Sequence, residues 1–255
     1  MVFVKIFVMN SKAVSISILA VVISFIGGFF LANALNKNEL ETLRVENNRL
    51  KNSPNNSTIV ESEMNLTDEE IRQKIAEADQ NPNNLQFQKS LGTALYRYGS
   101  MKQDAKILAE AARILTRVYE KNPTETDAAV MLANSYFDIG YFQKDNENLA
   151  KAQKIYQKVL EQTPKDFDVR TDYALTFFLQ NPPEYEKAVA ELKKSFQVNP
   201  KHEKTLQFLV QILLKQRKSQ EAETYLAKLK EINPNTPSLA EAQTQLEQSE
   251  KAEQK

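Results

Sequence analysis

Four prolines, Pro123, Pro164, Pro200 and Pro234, each close a segment built on the same plan. Twelve residues before each stands an alanine (Ala111, Ala152, Ala188, Ala222), and eight before each a bulky residue (Leu115, Tyr156, Leu192, Leu226). A small residue with a large one four positions later occupies a single helical face. A proline beyond it ends the helix, because the ring supplies no amide donor and clashes with the preceding turn. The chain of 255 residues holds only 5 glycines and shows no strand-like alternation, so the expectation is an all-α protein. Self-similarity at this period predicts stacked units, each burying its apolar face on a neighbour.

A second set of positions precedes each of those helices. Leu91-Gly92, Leu95 and Gly99 are followed in register by Leu132-Ala133, Tyr136 and Gly140. Tyr173-Ala174 with Phe177, and Leu209-Val210 with Leu213, complete the series. With the alanine-to-proline register these positions resemble the tetratricopeptide repeat over roughly residues 67–250, although every repeat lacks the family's tryptophan. The resemblance implies a right-handed α-α superhelical solenoid of about four repeats: 83–123, 124–164, 165–200 and 201–234. A capping helix at 67–82 and a capping helix with tail at 235–255 flank them, since a solenoid needs polar ends. Thr67 with Glu70 predicts the capping box that opens the first helix.

The prolines are spaced by 41, 36 and then 34 residues. The first two repeats are thus extended and align without a gap, which predicts enlarged turns between their paired helices. Asp104 and Asp145 fall in equivalent places and predict N-caps of the second helices. Pro183 is expected near a first helical turn in the third repeat.

Ahead of the repeats, residues 13–36 form a 24-residue run without a charge. At 1.5 Å per residue this is long enough for a transmembrane helix and longer than the apolar part of a cleaved signal. Residues 1–12 form a short tail, 37–51 a juxtamembrane helix and 52–66 a linker rich in Asn and Ser. Ala20, Ser24, Gly28 and Ala32 recur at every fourth position, a stripe that lets two membrane helices approach. Leu40, Leu43, Asn47 and Leu50 continue with coiled-coil spacing. Homodimer and monomer both stay open, because the heptad pattern is short. A signal anchor with an exported, periplasmic array is the expected orientation. Lys37, Arg44, Arg49 and Lys51 favour the opposite one.

Little in the composition points to chemistry. Lys+Arg and Asp+Glu balance at 33 each, which gives no footprint for nucleic acid, and there is no cysteine. The single histidine, His202, is expected to be a surface residue, and no phosphate loop or metalloprotease motif occurs. No enzyme activity, cofactor or metal is expected.

The resemblance instead implies binding of a protein or peptide in a concave groove. By family register its positions fall on Lys89, Thr93, Tyr96 and Arg97, then on Asp127, Val130, Asn134, Phe137 and Asp138. The third repeat supplies Asp168, Thr171, Leu175 and Phe178, and the fourth Lys204, Gln207, Gln211 and Lys215. Phe137 and Phe178 are the favoured anchors, because desolvated aromatics dominate interface energy. Lys89 and Asn134 fit positions of the family's carboxylate clamp. Thr93 and Val130 stand where its other members belong, so the clamp is incomplete. Membrane-anchored proteins similar in layout serve envelope assembly and c-type cytochrome maturation. A cytosol-facing targeting receptor is the competing expectation.

Overall fold

Thr67 and Glu70 open the first helix as a reciprocal box. The Glu70 amide donates to the threonine hydroxyl at 3.2 Å, and the Thr67 amide donates to the Glu70 carboxylate at 2.8 Å. The chain divides after Glu63 into two units. The computed structural model describes residues 67–236 and 239–246, all in the second unit. The membrane span expected at 13–36, its stripe Ala20, Ser24, Gly28 and Ala32, the juxtamembrane helix and the linker lie outside the described residues. Among those described, no helix is long and apolar enough to cross a membrane.

The described residues show no strand; nine helices precede a last helical stretch at 239–246: α1 (Asp68–Gln80), α2 (Leu85–Lys102), α3 (Ala105–Lys121), α4 (Thr126–Gln143), α5 (Asn146–Gln162), α6 (Phe167–Leu179), α7 (Tyr185–Val198), α8 (Glu203–Lys215) and α9 (Ser219–Ile232). They pair as α2/α3, α4/α5, α6/α7 and α8/α9, and each second helix also packs on the first helix of the next pair. The first helices α2, α4, α6 and α8 (the A helices) touch in succession, so they form one continuous wall. This is a tetratricopeptide-like solenoid.

The alanine register occupies the tightest points. Ala111, Ala152, Ala188 and Ala222 are buried, as are Leu115, Tyr156, Leu192 and Leu226. Gly92 faces this register across the first pair, where an added Cβ would stand 2.6 Å from Leu115 Cγ. The Leu115 side chain therefore fills the space that any residue larger than glycine would need at position 92.

Each proline follows a helix C-cap, and the turns repeat. Glu125 donates to the Asn122 carbonyl at 3.1 Å, Asp166 to Thr163 at 3.0 Å, His202 to Asn199 at 3.1 Å and Thr236 to Asn233 at 3.2 Å. The same bond joins Asn84 to Asn81 at 3.1 Å around Pro82, so α1 ends as the second helix of a repeat does. Proline fits because it presets φ for the second turn position and pushes the preceding residue out of the helical region.

The enlarged turns expected in the first two repeats are absent. Gln103 and Lys144 reverse the chain in left-handed geometry (φ 54° and 55°), and Asp104 and Asp145 immediately cap the next helix. The extra residues lengthen the helices instead: α2 and α4 have 18 residues against 13 in α6 and α8, and α3 and α5 have 17 against 14 in α7 and α9. Pro183 lies one residue before the N-cap Glu184 rather than in the first turn. The overhang of the second repeat is tied down by Asn146, whose side chain donates to the Asn181 carbonyl at 2.7 Å and accepts from the Asn181 amide at 3.0 Å.

Both ends of the stack are closed. At one, Asp79 of α1 accepts from Arg113 at 2.7 Å and Arg117 at 2.6 Å. At the other, residues 239–246 are helical, and Leu239, Ala242 and Leu246 cover Leu206, Val210, Leu226 and Leu229.

Candidate functional site

The A-helix wall carries every groove position expected from the sequence, but the wall divides them. Tyr96, Asn134, Phe137, Asp138, Thr171 and Leu175 are buried. Buried in this fold, these six are not the open groove positions expected of them. Phe137, expected as an anchor, is 1% exposed. Contact between successive repeats accounts for part of this: the Tyr96 hydroxyl bonds with Asn134, and the Thr171 and Thr205 hydroxyls lie 2.8 Å apart.

Ion pairs within the wall hold several of the others. Lys89 of α2 pairs with Glu125, and with Asp127 at 3.7 Å, at the start of α4. Glu125 bonding holds the Lys89 ammonium above its usual pKa despite partial burial. Lys204 of α8 pairs with Asp172 of α6, a residue the sequence did not single out. Gln207 donates to Glu203 at 3.0 Å and to Thr236 at 3.2 Å. Thr93, Arg97, Val130 and Phe178 are half-buried on the same helices, and Asp127, Asp168, Gln211 and Lys215 are exposed.

Beneath the wall runs a buried polar seam. The Tyr156 hydroxyl donates to Asn134 Oδ1 at 2.6 Å, and Asp138 lies close enough to Tyr96, Tyr156 and Asp172 to act on all three electrostatically. Burial pushes the Asp138 carboxyl up to about 7. Ser100 opposes the rise, Asp172 adds to it, and Lys204 opposes it. Its Oδ2 has no hydrogen-bond partner.

One cluster imitates a catalytic relay. Asp168 Oδ1 lies 3.0 Å from His202 Nε2, and His202 Nδ1 lies 2.7 Å from Thr205 Oγ1. Contrary to expectation, His202 is therefore not a simple surface residue. Its side chain is 16% exposed and its ring meets Phe167 edge-on at 4.9 Å. The Thr205 side chain is fully buried and lies 2.9 Å from the Ser195 hydroxyl and 2.8 Å from that of Thr171. A nucleophile needs an open approach to a substrate, and this hydroxyl has none. The cluster works as a tie between the third and fourth repeats. Among the described residues no group of His, Asp and Glu could hold a metal ion.

Two aromatic residues that the sequence did not single out, Phe208 on α8 and Tyr185 on α7, pack against the core shared by the third and fourth repeats. Phe208 lies four positions after Lys204 and three before Gln211, so the α8 register already implied it. Tyr185, at the start of α7, had no such signal. The described residues also enclose a shallow furrow of about 580 Å³ against α3, lined by Ala105, Ala109, Ala112, Thr116, Tyr136 and Ile139.

The tetratricopeptide-repeat family model matches residues 133–166 and, in a second form, residues 184–254. Tetratricopeptide repeats are thus detected over those two stretches. Solved structures with a similar array include a MamA protein, at TM-score 0.52 and 16% identity over 69% of this chain and 85% of that one. A thermophilic tetratricopeptide protein of Thermus thermophilus superposes at 0.50 with 16% identity, covering 71% and 88%. YrrB, a tetratricopeptide protein with an unusual peptide-binding site, does so at 0.50 with 17% identity, covering 69% and 84%. At these identities the likeness is one of fold. No curated protein sequence matches the chain. Tetratricopeptide arrays mediate contacts between proteins, through the extended surfaces that stacked repeats create.

Proposed function

We propose that this chain is a membrane-anchored adaptor whose tetratricopeptide array holds an extended or helical segment of a partner protein against the A-helix wall. The observation that carries it is the unbroken wall from α2 to α8, with ion pairs spent inside it and aromatic and amide side chains left at its surface. The peptide-binding site of YrrB, a structural neighbour, supports the same use of such an array.

The apolar run 13–36 supplies the anchor, and its stripe Ala20, Ser24, Gly28 and Ala32 supplies a contact for a second copy. Anchoring raises the effective concentration of array and client, so modest affinity suffices. The array faces the exported side and serves assembly or maturation of envelope proteins, c-type cytochromes included. A cytosol-facing receptor is the second reading, favoured by Lys37, Arg44, Arg49 and Lys51 after the run.

Cross-linking and purification of the full chain from membranes tests the adaptor. A specific client is expected, and its absence overturns the reading. A C-terminal topology reporter separates the two orientations, and recovery of the chain from the soluble fraction removes the anchor. Dimerisation that survives Gly28→Leu dismisses the stripe.

A further inference from the structure

The turns inside the helix pairs lie along one edge of the stack, and the proline turns between pairs along the other. The first edge carries surplus cations. Lys102 and Lys106 flank the α2/α3 turn, Lys144 is the α4/α5 turn, and Lys215 and Arg217 flank Gln216 after α8. All five are exposed, and none forms an ion pair among the described residues. Lys102 Nζ lies 5.7 Å from the Tyr98 ring centre, a contact that leaves its charge unanswered. The acids of this edge are already engaged. Asp104 and Asp145 accept amides as N-caps, and Glu147, Glu184, Glu186 and Glu221 pair with lysines. The proline edge is close to balanced: Lys121, Lys165 and Lys230 stand beside or one turn from the unpaired Glu120, Glu161 and Glu231.

Backbone geometry marks the same edge. Lys144 and Arg217 hold left-handed conformations that glycine would take without strain, yet each presents a cation to solvent. Met101, in the last turn of α2, is 39% exposed, one of two large apolar side chains so exposed among the described residues.

Resting on the anchored reading, we propose that this edge lies against an anionic phospholipid surface, with the five cations on headgroup phosphates and Met101 inserted among them. The cations are spread along the edge, so they match an extended layer of anions rather than one bound group. Several Lys and Arg acting together give strong, salt-sensitive attraction to such a layer. An anchored array meets the bilayer at higher effective concentration than any other anion. The edge sits at the helix ends, so a bilayer there leaves the A-helix wall open to a client.

The chain has no cysteine, so single labels can be placed at will. Full chain carrying a fluorophore at Gln143→Cys, on this edge, or at Asn235→Cys, on the other, is reconstituted in nanodiscs with a headgroup-tethered quencher. In discs of equal parts phosphatidylglycerol and phosphatidylcholine the Gln143→Cys label should be quenched several-fold more than the Asn235→Cys label. The difference should vanish in pure phosphatidylcholine, in molar salt, and in the double variant Lys144→Glu, Arg217→Glu, which alters only exposed side chains. Equal quenching of both labels, or a difference indifferent to lipid charge and to the double variant, overturns the proposal. Polyglutamate that relieves the quenching at charge concentrations well below those of the lipid assigns the edge to an acidic protein and overturns it too. A chain recovered free of the discs overturns the anchored reading itself, so the two failures are distinguishable.

Discussion

Burial of the Asp138 carboxyl, with one oxygen lacking a hydrogen-bond donor, holds its pKa at about 7, well above the ordinary carboxylate range. The folded state therefore keeps a proton that the unfolded chain gives up near pH 4, and stability falls as pH rises between those two values. At about 1.4 kcal/mol for each tenfold change in proton affinity, the effect is on the order of 4 kcal/mol. Asp138→Asn removes this slope: its melting temperature should gain on that of the original chain between pH 5 and pH 8. A constant difference across that range would refute the assignment. The helix turns offer a second pair of tests. A Cβ at Gly140 would stand 2.9 Å from the Leu149 backbone nitrogen, which cannot swing aside, so Gly140→Ala should cost about 1–3 kcal/mol in chemical denaturation. Lys144 holds a left-handed conformation that glycine adopts without strain, and Lys144→Gly should stabilise by about 0.5–1 kcal/mol in the same assay.

At the scale of the helix, α1 is a second helix with no first among the described residues. It meets the array through few contacts besides Ile71, Ala78 and the Asp79 carboxylate, which Arg113 and Arg117 hold below its usual pKa. Hydrogen exchange of Asp79→Ala should speed at the α1 amides and leave α6 to α9 unchanged. Equal protection in the variant would show that the apolar contacts suffice. Which elements were legible in advance follows from the same physics. The alanine-to-proline register demands close helix contact and a fixed stop, so it named buried residues correctly at all four repeats. Helix length was not legible: GSMKQD and GYFQKD look like turn sequence. Yet Gly99, Ser100 and Gly140 are buried helix, and the chain reverses only at Gln103 and Lys144. The wall was half legible. Register places a residue on the inward side of its own helix, but how closely the next helix approaches decides between surface and seam. Phe137 is buried, whereas Phe178 at the same register is half-buried.

For the array as a whole, the ends matter as much as the repeats. Removing residues 235–255 would uncover Leu206, Val210, Leu226 and Leu229, an apolar strip that repeat proteins shield for solubility. The truncated chain should elute as aggregate in size-exclusion chromatography where the full chain does not, and an unchanged profile would argue against a capping role. Between the ends, all the second helices from α1 to α9 stop on one turn of identical hydrogen bonding, around Pro82, Pro123, Pro164, Pro200 and Pro234. Those joints make the units interchangeable. A tandem copy of residues 124–164 spliced in after Pro164 would meet, at each junction, a boundary the chain already tolerates. The lengthened protein should melt at or above the temperature of its parent, so growth by duplication is open to this chain without redesign of any joint.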